Sequence, residues 1–353
     1  KLQFLYLSEN QLTGAIPPEL GNLSRLNHLH LSGNQLTGAI PPQLADLSCL
    51  VDLYLSRNRL TGPIPEELGN LTILGYLFLE DNQLTGAIPV ELGSLGNLQY
   101  LHLSGNQLTG GIPPQLGNLT RLQQLALGYN ELAGAIPPEL GGLSALEALS
   151  LAGNQLTGQI PAQLGNLTHL QYLSLSGNQL SGPIPVEFGN LASLGFLYLD
   201  GNRLTGPIPA VLGNLVYLRD LYLSSNRFTG SVPPQLGSLT GLEQLSLRDN
   251  RLKGPIPPEL GNLGRALMYL DLSANHLSGE IPYEITNLTR LGDYTGLDLR
   301  YNCRLQSSDL AVLAFITEKQ TASGDPGYWA DLQDSCECTS SDFDGDGKTD
   351  RTV

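Results

Sequence analysis

LQYLHLSGNQLTGGIPPQLGNLTR, running from Leu98 to Arg121, is the stretch from which most of the chain can be read. Around Asn106 as origin, Leu98, Leu101 and Leu103 precede, and Leu108, Ile112, Leu116 and Leu119 follow. The next copy begins at Leu122, 24 residues after Leu98. Seven apolar residues in 24 cannot enclose a core alone. Stacked on copies of themselves they form a continuous one, which is the logic of a solenoid. Leu101-His102-Leu103 alternates apolar and polar, so it reads as a short strand with both leucines inward. Copies in successive turns then pair as a parallel sheet, with strands about 4.8 Å apart. Asn106 stands where the chain leaves that strand. A buried Asn offers two donors and an acceptor, enough to satisfy open backbone groups in its own turn and the adjacent one. Thr109-Gly110 and Ile112-Pro113 read as extended and punctuated. Pro113 to Leu116 reads as a single helical turn with proline near its start. Gly117-Asn118 is expected to end it through a positive φ at glycine.

The origin asparagine returns at Asn10, Asn34, Asn58, Asn82, Asn106, Asn130, Asn154, Asn178, Asn202, Asn226 and Asn250 without a slip. It returns again at Asn275 and Asn302, after one and three inserted residues. That makes thirteen units over about 300 of the 353 residues. The element Gly-x-Ile-Pro follows twelve of them, from Gly14-Ala15-Ile16-Pro17 to Gly279-Glu280-Ile281-Pro282, with Val232 once in place of isoleucine.

This pattern, LxxLxLxxNxLTGxIPxxLGNLxx, resembles the plant-type leucine-rich repeat carried by polygalacturonase-inhibiting proteins and plant receptor-kinase ectodomains. The resemblance implies an α/β solenoid, curved, with a parallel β-sheet on its concave face, and function by binding and not catalysis. The chain opens at Lys1-Leu2, already inside a unit and without the cysteine-bearing cap of the family. That reads as a truncation, a processing site or a docking surface. No apolar run reaches the length of a membrane-spanning helix.

From Cys303 the composition changes. We expect three parts: a repeat array over 1–302, a cysteine-containing helical cap over 303–338, and an acidic tail over 339–353. Ser308 to Ile316 reads as an amphipathic helix lying across the last repeat, with Ser307 or Ser308 as N-cap. The run from Tyr301-Asn302-Cys303 to Tyr328-Trp329 and Cys336 resembles the C-terminal caps of bacterial secreted repeat proteins. A bridge from Cys303 to Cys336 or to Cys338 would staple that cap, and the spacing does not choose between them. Cys49 reads as a free thiol. A bridged cap points to an oxidising compartment, and so to a secreted or cell-surface protein. In the tail, Asp342, Asp344, Asp346 and Asp350 stand at positions 1, 3, 5 and 9 of a calcium-loop pattern with Gly347 at position 6. That spacing suits the hard oxygen ligands of Ca²⁺. Val353 fills the place of the terminal Glu. The string DFDGDGKTD therefore resembles the calcium loop of FG-GAP-type repeats more than an EF-hand.

The formal net charge is −15. That excludes a nucleic-acid partner, which demands basic patches. Ten of the 33 acids lie in the last 51 residues, so the array itself is mildly acidic. Five sequons, at Asn22, Asn70, Asn118, Asn166 and Asn287, fall at one point of the repeat away from the sheet. Glycans there would leave the concave face clear; GNLT is also simply a frequent form of the repeat.

Two strand positions per unit, six and four residues before the asparagine, point outward. The outer column includes Phe4, His28, Asp52, Tyr76, Tyr100, Tyr172, Phe196 and Tyr269. The inner one includes Tyr6, His30, Tyr54, Phe78, His102, Tyr198 and Tyr222. Eleven of the 21 Phe and Tyr residues fall in these 26 positions, so we read the columns as a contact surface. Rings with a polar tip suit sugars, peptides and protein loops. The competing reading is that aromatics favour strands and pack across neighbouring ones. One patch runs from Phe4 to His102; the other is Tyr172, Phe196, Tyr198 and Tyr222. Gln124, Ala126, Ala148 and Ser150 lie between.

His28 and Asp52 should be lateral neighbours, and a His–Asp pair can orient a general base. We expect no metal-ligand cluster beside it, and Ser32 and Ser56 are the usual residues of their position, so an enzyme is the last reading. The leading one is an extracellular recognition module that engages a glycan or a protein segment on its aromatic concave face. The alternative is a structural surface protein assembling copies of itself into filaments, since head-to-tail contacts do not close. An ice-binding surface is a distant third, because it asks for flat ranks of Thr or Asn.

Overall fold

A computed structural model of the chain describes residues 1–292, 296–302 and 304–321. Thirteen strands, from Phe4–Tyr6 through Tyr100–His102 to Leu297–Asp298, form one parallel sheet in strict chain order. Its register never shifts: Phe4 faces His28, Gln124 faces Ala148, and Asp220 faces Gln244. A side-chain period of two keeps one residue type inward at every step. Leu29, Leu53, Leu77, Leu101 and their successors are therefore fully buried.

The asparagines do what a buried amide must. Leu132 N–H donates to Asn154 Oδ1 at 3.0 Å, while Asn154 Nδ2 donates to Leu127 and Leu151 carbonyls, both at 3.1 Å. Leu127 and Leu132 lie in the preceding turn and Leu151 in its own, so each amide joins two turns. The same arrangement holds at every unit from Asn34 to Asn302. Asn10, in the first unit, bonds only the Leu7 and Ser8 carbonyls.

Past the asparagine the chain forms a second set of short strands, which sequence reading left merely extended. Gln35–Gly38, Arg59–Pro63, Gln83–Ala87 and Gln107–Thr109 pair with Thr13–Ala15 in a five-stranded sheet; shorter sheets continue the pattern. On the far side each of the first twelve units makes a short 3-10 helix, such as Pro114–Asn118, with Pro113 at its N-cap. All five sequon asparagines end such turns and are exposed, away from the large sheet.

Two glycines per unit have different reasons. The Gly of Gly-x-Ile-Pro takes a positive φ, +78° at Gly110, in all twelve occurrences. Gly117 does not, contrary to expectation. It is needed because a Cβ there would lie 2.3 Å from the Glu139 carbonyl oxygen of the next turn, so a side chain would force the stacked turns apart. The sequence also hid a third requirement. The residue just before each asparagine is left-handed in every unit, whether Gly105, Asp81 or Tyr129.

At the C-terminal end, the helix Leu310–Thr321 lies against the last 3-10 turn and last strand, with Val312 and Ile316 fully buried. Its N-cap is Asp309, not Ser307 or Ser308. Asp309 Oδ1 accepts from Ala311 N–H at 2.8 Å and Val312 N–H at 3.2 Å, while Ser307 Oγ accepts from Asp309 N–H. Asp wins because its carboxylate reaches the open amides of the first turn. The helix is less amphipathic than expected, since Leu310 at its start is exposed. Cys303, Cys336, Cys338 and the calcium-loop aspartates Asp342, Asp344, Asp346 and Asp350 lie outside the described residues, as do half of the cap region and the whole tail. Cys49 is a free thiol. Among the described residues no helix is long and apolar enough to cross a membrane.

Candidate binding face

Every aromatic expected on the large sheet's outer face is there, because strand register carries one column straight across the turns. Inner-column rings run as an unbroken ladder. Tyr6 and His30 have centroids 4.6 Å apart, His30 and Tyr54 stack at 4.1 Å, and Tyr54 meets Phe78 edge-on at 4.5 Å. Phe78 meets His102 edge-on at 4.6 Å. In the outer column Tyr76 stacks on Tyr100 at 5.1 Å. The second patch is looser: Tyr172 lies 5.6 Å from Tyr198, and Tyr198 lies 5.4 Å from Tyr222. Phe196 stacks on Tyr198 at 6.4 Å.

The rings are therefore half-buried against one another rather than freely exposed, apart from Phe4 and Tyr6 in the first unit. Contacts of this kind are worth about 0.5–1.5 kcal/mol each beyond burial. The packing reading and the binding reading thus describe one object. The rings hold each other in place and offer their outer edges to the groove.

Polar partners fix the tyrosine tips. Tyr198 Oη donates to Asp220 Oδ2 at 2.6 Å, Tyr222 Oη to Gln244 Oε1, and Tyr269 Oη to Asp271 Oδ2 at 3.0 Å. Burial, then Asp220, raises the Tyr198 phenol well above its usual range, and burial with Asp271 does the same at Tyr269. Burial and Asp52 push Tyr54 up to about 12. These phenols stay protonated throughout the physiological range. The carboxylates Asp52, Asp220 and Asp271, at the same outward-pointing strand positions, are buried. His102 Nε2 lies 3.1 Å from Gln124 Oε1, and burial lowers its pKa.

The His28–Asp52 pair forms as expected, through Nδ1 and Oδ2. Ser56 Oγ donates to Ser32 Oγ at 2.8 Å and both are buried, so these hydroxyls satisfy each other. One expectation fails. The pair does not stand without further metal-ligating groups, because His30 Nε2 comes within 3.6 Å of Asp52 Oδ2. The signal lay in the sequence: His28 and His30 share one face of a strand, and Asp52 occupies the neighbouring one. Reading the two columns separately concealed it.

The family comparisons agree with this architecture. The leucine-rich repeat region model matches residues 151–265, the leucine rich repeat model matches 1–60 and 50–108, and the two-copy model matches 96–142. No curated protein sequence matches significantly. Among solved structures, a plant peptide hormone receptor, RGFR1 in complex with RGF2, is 37% identical with TM-score 0.75, covering 86% of this chain and 52% of its own. The Arabidopsis receptor kinase HAESA ectodomain, in complex with an extended IDA peptide hormone, is 36% identical with TM-score 0.81, covering 88% and 52%. The chain thus spans about half the length of the receptor chains it matches. A plant ice-binding protein is 35% identical with TM-score 0.61, covering 70% of this chain and 79% of its own. The residues, the fold and these likenesses together show that the chain belongs to the leucine-rich repeat family, in its plant type.

Proposed function

We propose that the chain is the recognition array of an extracellular or cell-surface protein, and that it holds an extended peptide along its concave aromatic face. The observation that carries this reading is the pair of pre-ordered aromatic patches on a single unbroken sheet face. Binding to rings already locked by their neighbours costs little side-chain entropy. Tyr54 and Tyr222 stand seven strand steps apart, or roughly 34 Å at about 4.8 Å per step. An extended peptide of about ten residues covers that distance. The phenol tips of Tyr198 and Tyr222 end beside a carboxyl and an amide oxygen, so the second patch favours ligands that donate hydrogen bonds. Peptide complexes among the similar receptors support the choice of a peptide over a glycan.

The test is selection of binding peptides from a random library against the whole chain, followed by calorimetry on the Tyr198→Ala/Tyr222→Ala variant. Loss of two central aromatic anchors should weaken binding about thirtyfold or more, the scale of a binding hot spot. The melting temperature should move by only a few degrees. Selected peptides that bind the variant as tightly as the native chain would refute the reading. Preferential capture of oligosaccharides on a glycan array would change the ligand class and keep the face. Growth of particle mass with concentration in light scattering would favour self-assembly instead.

A further inference from the structure

From the arrangement of His28, His30 and Asp52 we infer a zinc site on the concave face in the second and third turns. Its three donor atoms all lie within 4.8 Å of one another. His28 and His30 sit at i and i+2 of one strand, so both imidazoles leave the same face. Asp52 begins the adjacent strand, directly opposite His28.

Two orphaned atoms point to a missing ligand. His30 Nε2 and Asp52 Oδ1 are both buried and have no hydrogen-bond partner. Asp52 as a residue is only 9% exposed. A buried polar atom without a partner is costly, and a cation held by His30 Nε2 and the Asp52 carboxylate would relieve it. The aromatic ladder fixes the ligands. His30 is held between Tyr6 and Tyr54, and Phe4 stacks on His28 with centroids 5.0 Å apart and planes 9° apart. Ring orientation, the usual loss in an unsupported site, is thus set in advance.

The donor set chooses the metal. Two imidazoles and one carboxylate suit a borderline divalent ion, whereas calcium and magnesium ask for six or more oxygen ligands. Zinc with bonds of about 2.0–2.1 Å and tetrahedral geometry spaces its donors about 3.3 Å apart. His30 Nε2 and Asp52 Oδ2 are already 3.6 Å apart, while His28 Nδ1 and Asp52 Oδ2, now hydrogen-bonded, must separate to admit the ion. His28 Nδ1 now shares a hydrogen with Asp52; on binding, that proton passes to Nε2 through solvent and frees Nδ1 to ligate. The protein supplies three ligands. That leaves a fourth position for a water or an exogenous donor, as in open zinc sites.

The site is tested with Zn²⁺ alone, independently of any peptide. The whole chain, stripped with chelator, is titrated with Zn²⁺ by calorimetry beside His30→Phe and Asp52→Asn. His30→Phe keeps the stacked ring and removes the nitrogen; Asp52→Asn keeps shape and removes charge. Each variant should lose one zinc equivalent, or bind it about a hundredfold more weakly, since even second-shell losses reach tenfold to a hundredfold. Co²⁺ should give tetrahedral visible absorption in the native chain and lose it in both variants. Equal stoichiometry and affinity in all three proteins would overturn the assignment, because any zinc then sits elsewhere. Circular dichroism melting without metal identifies a misfolded variant, and the other variant then decides.

Discussion

Asn154 shows how much one side chain carries. It is buried, and removing its amide orphans the Leu132 N–H, while the Leu127 and Leu151 carbonyls each keep one donor, from Asn130 and Asn178. At about 1–3 kcal/mol for that orphaned group, Asn154→Ala should destabilise the array by about 1–3 kcal/mol. A urea titration would read this as a lower midpoint. His102 makes a different prediction. Burial lowers its pKa from 6.5, so between that lowered value and 6.5 the unfolded chain binds a proton that the folded chain refuses. Stability therefore rises with pH across this window and falls as pH drops below 6.5. His102→Gln should flatten part of that slope in melts between pH 5 and 7, leaving the part due to His30 and His276, which burial also lowers. At this scale the sequence was readable wherever a position repeats. The asparagine's role followed from its chemistry, and the aromatic columns from a period of two. Gly117 was misread because a Cβ clash with the next turn is a property of stacked neighbours, invisible within one unit. The left-handed position before each asparagine was missed because eight different units fill it with residues other than glycine.

Among the elements, the cap helix offers the cleanest test. Asp309 caps its N-terminus by accepting from Ala311 and Val312 N–H. Asp309→Ala should cost about 1 kcal/mol, the usual worth of such a cap. The loss should show as faster amide exchange in the helix and in the strand Leu297–Asp298 it covers, with the central strands unaffected. Repeat arrays confine damage to neighbouring units, which is why the effect should be local. The helix itself was legible from its apolar run, but its cap was not. Ser307, Ser308 and Asp309 are three adjacent good cappers, and only the path of the chain off Arg304–Gln306 decides which one faces the open amides. The second set of short strands was hidden for a related reason. Strands of two to five residues carry no period of their own and exist because the next turn presents its backbone alongside.

For the whole molecule, the unbroken spacing makes the turns interchangeable. Deleting residues 122–145 removes one unit between the two aromatic patches and joins Arg121 to Leu146 in the same phase. The product should fold, with a circular dichroism spectrum like the parent's and the patches about 5 Å closer. Deleting only 122–133 puts apolar positions out of phase and should not give a cooperative melt. A peptide that bridges both patches should bind the 24-residue deletion more weakly, while one confined to a single patch should not notice it. Fold and sheet order were legible at this scale because thirteen copies repeat one message. The zinc-ligating trio was not, because it exists only where two turns happen to differ from the rest. The asparagine ladder has a consequence for a chain placed under load. Every amide from Asn34 onward clasps the turn before it, so no turn can be pulled out without first unfastening its successor's side chain. Stretched from its ends, such a rod should lengthen in discrete, near-equal jumps of about 80 Å, one 24-residue turn at a time. It would behave as a ratcheting tether rather than as a spring.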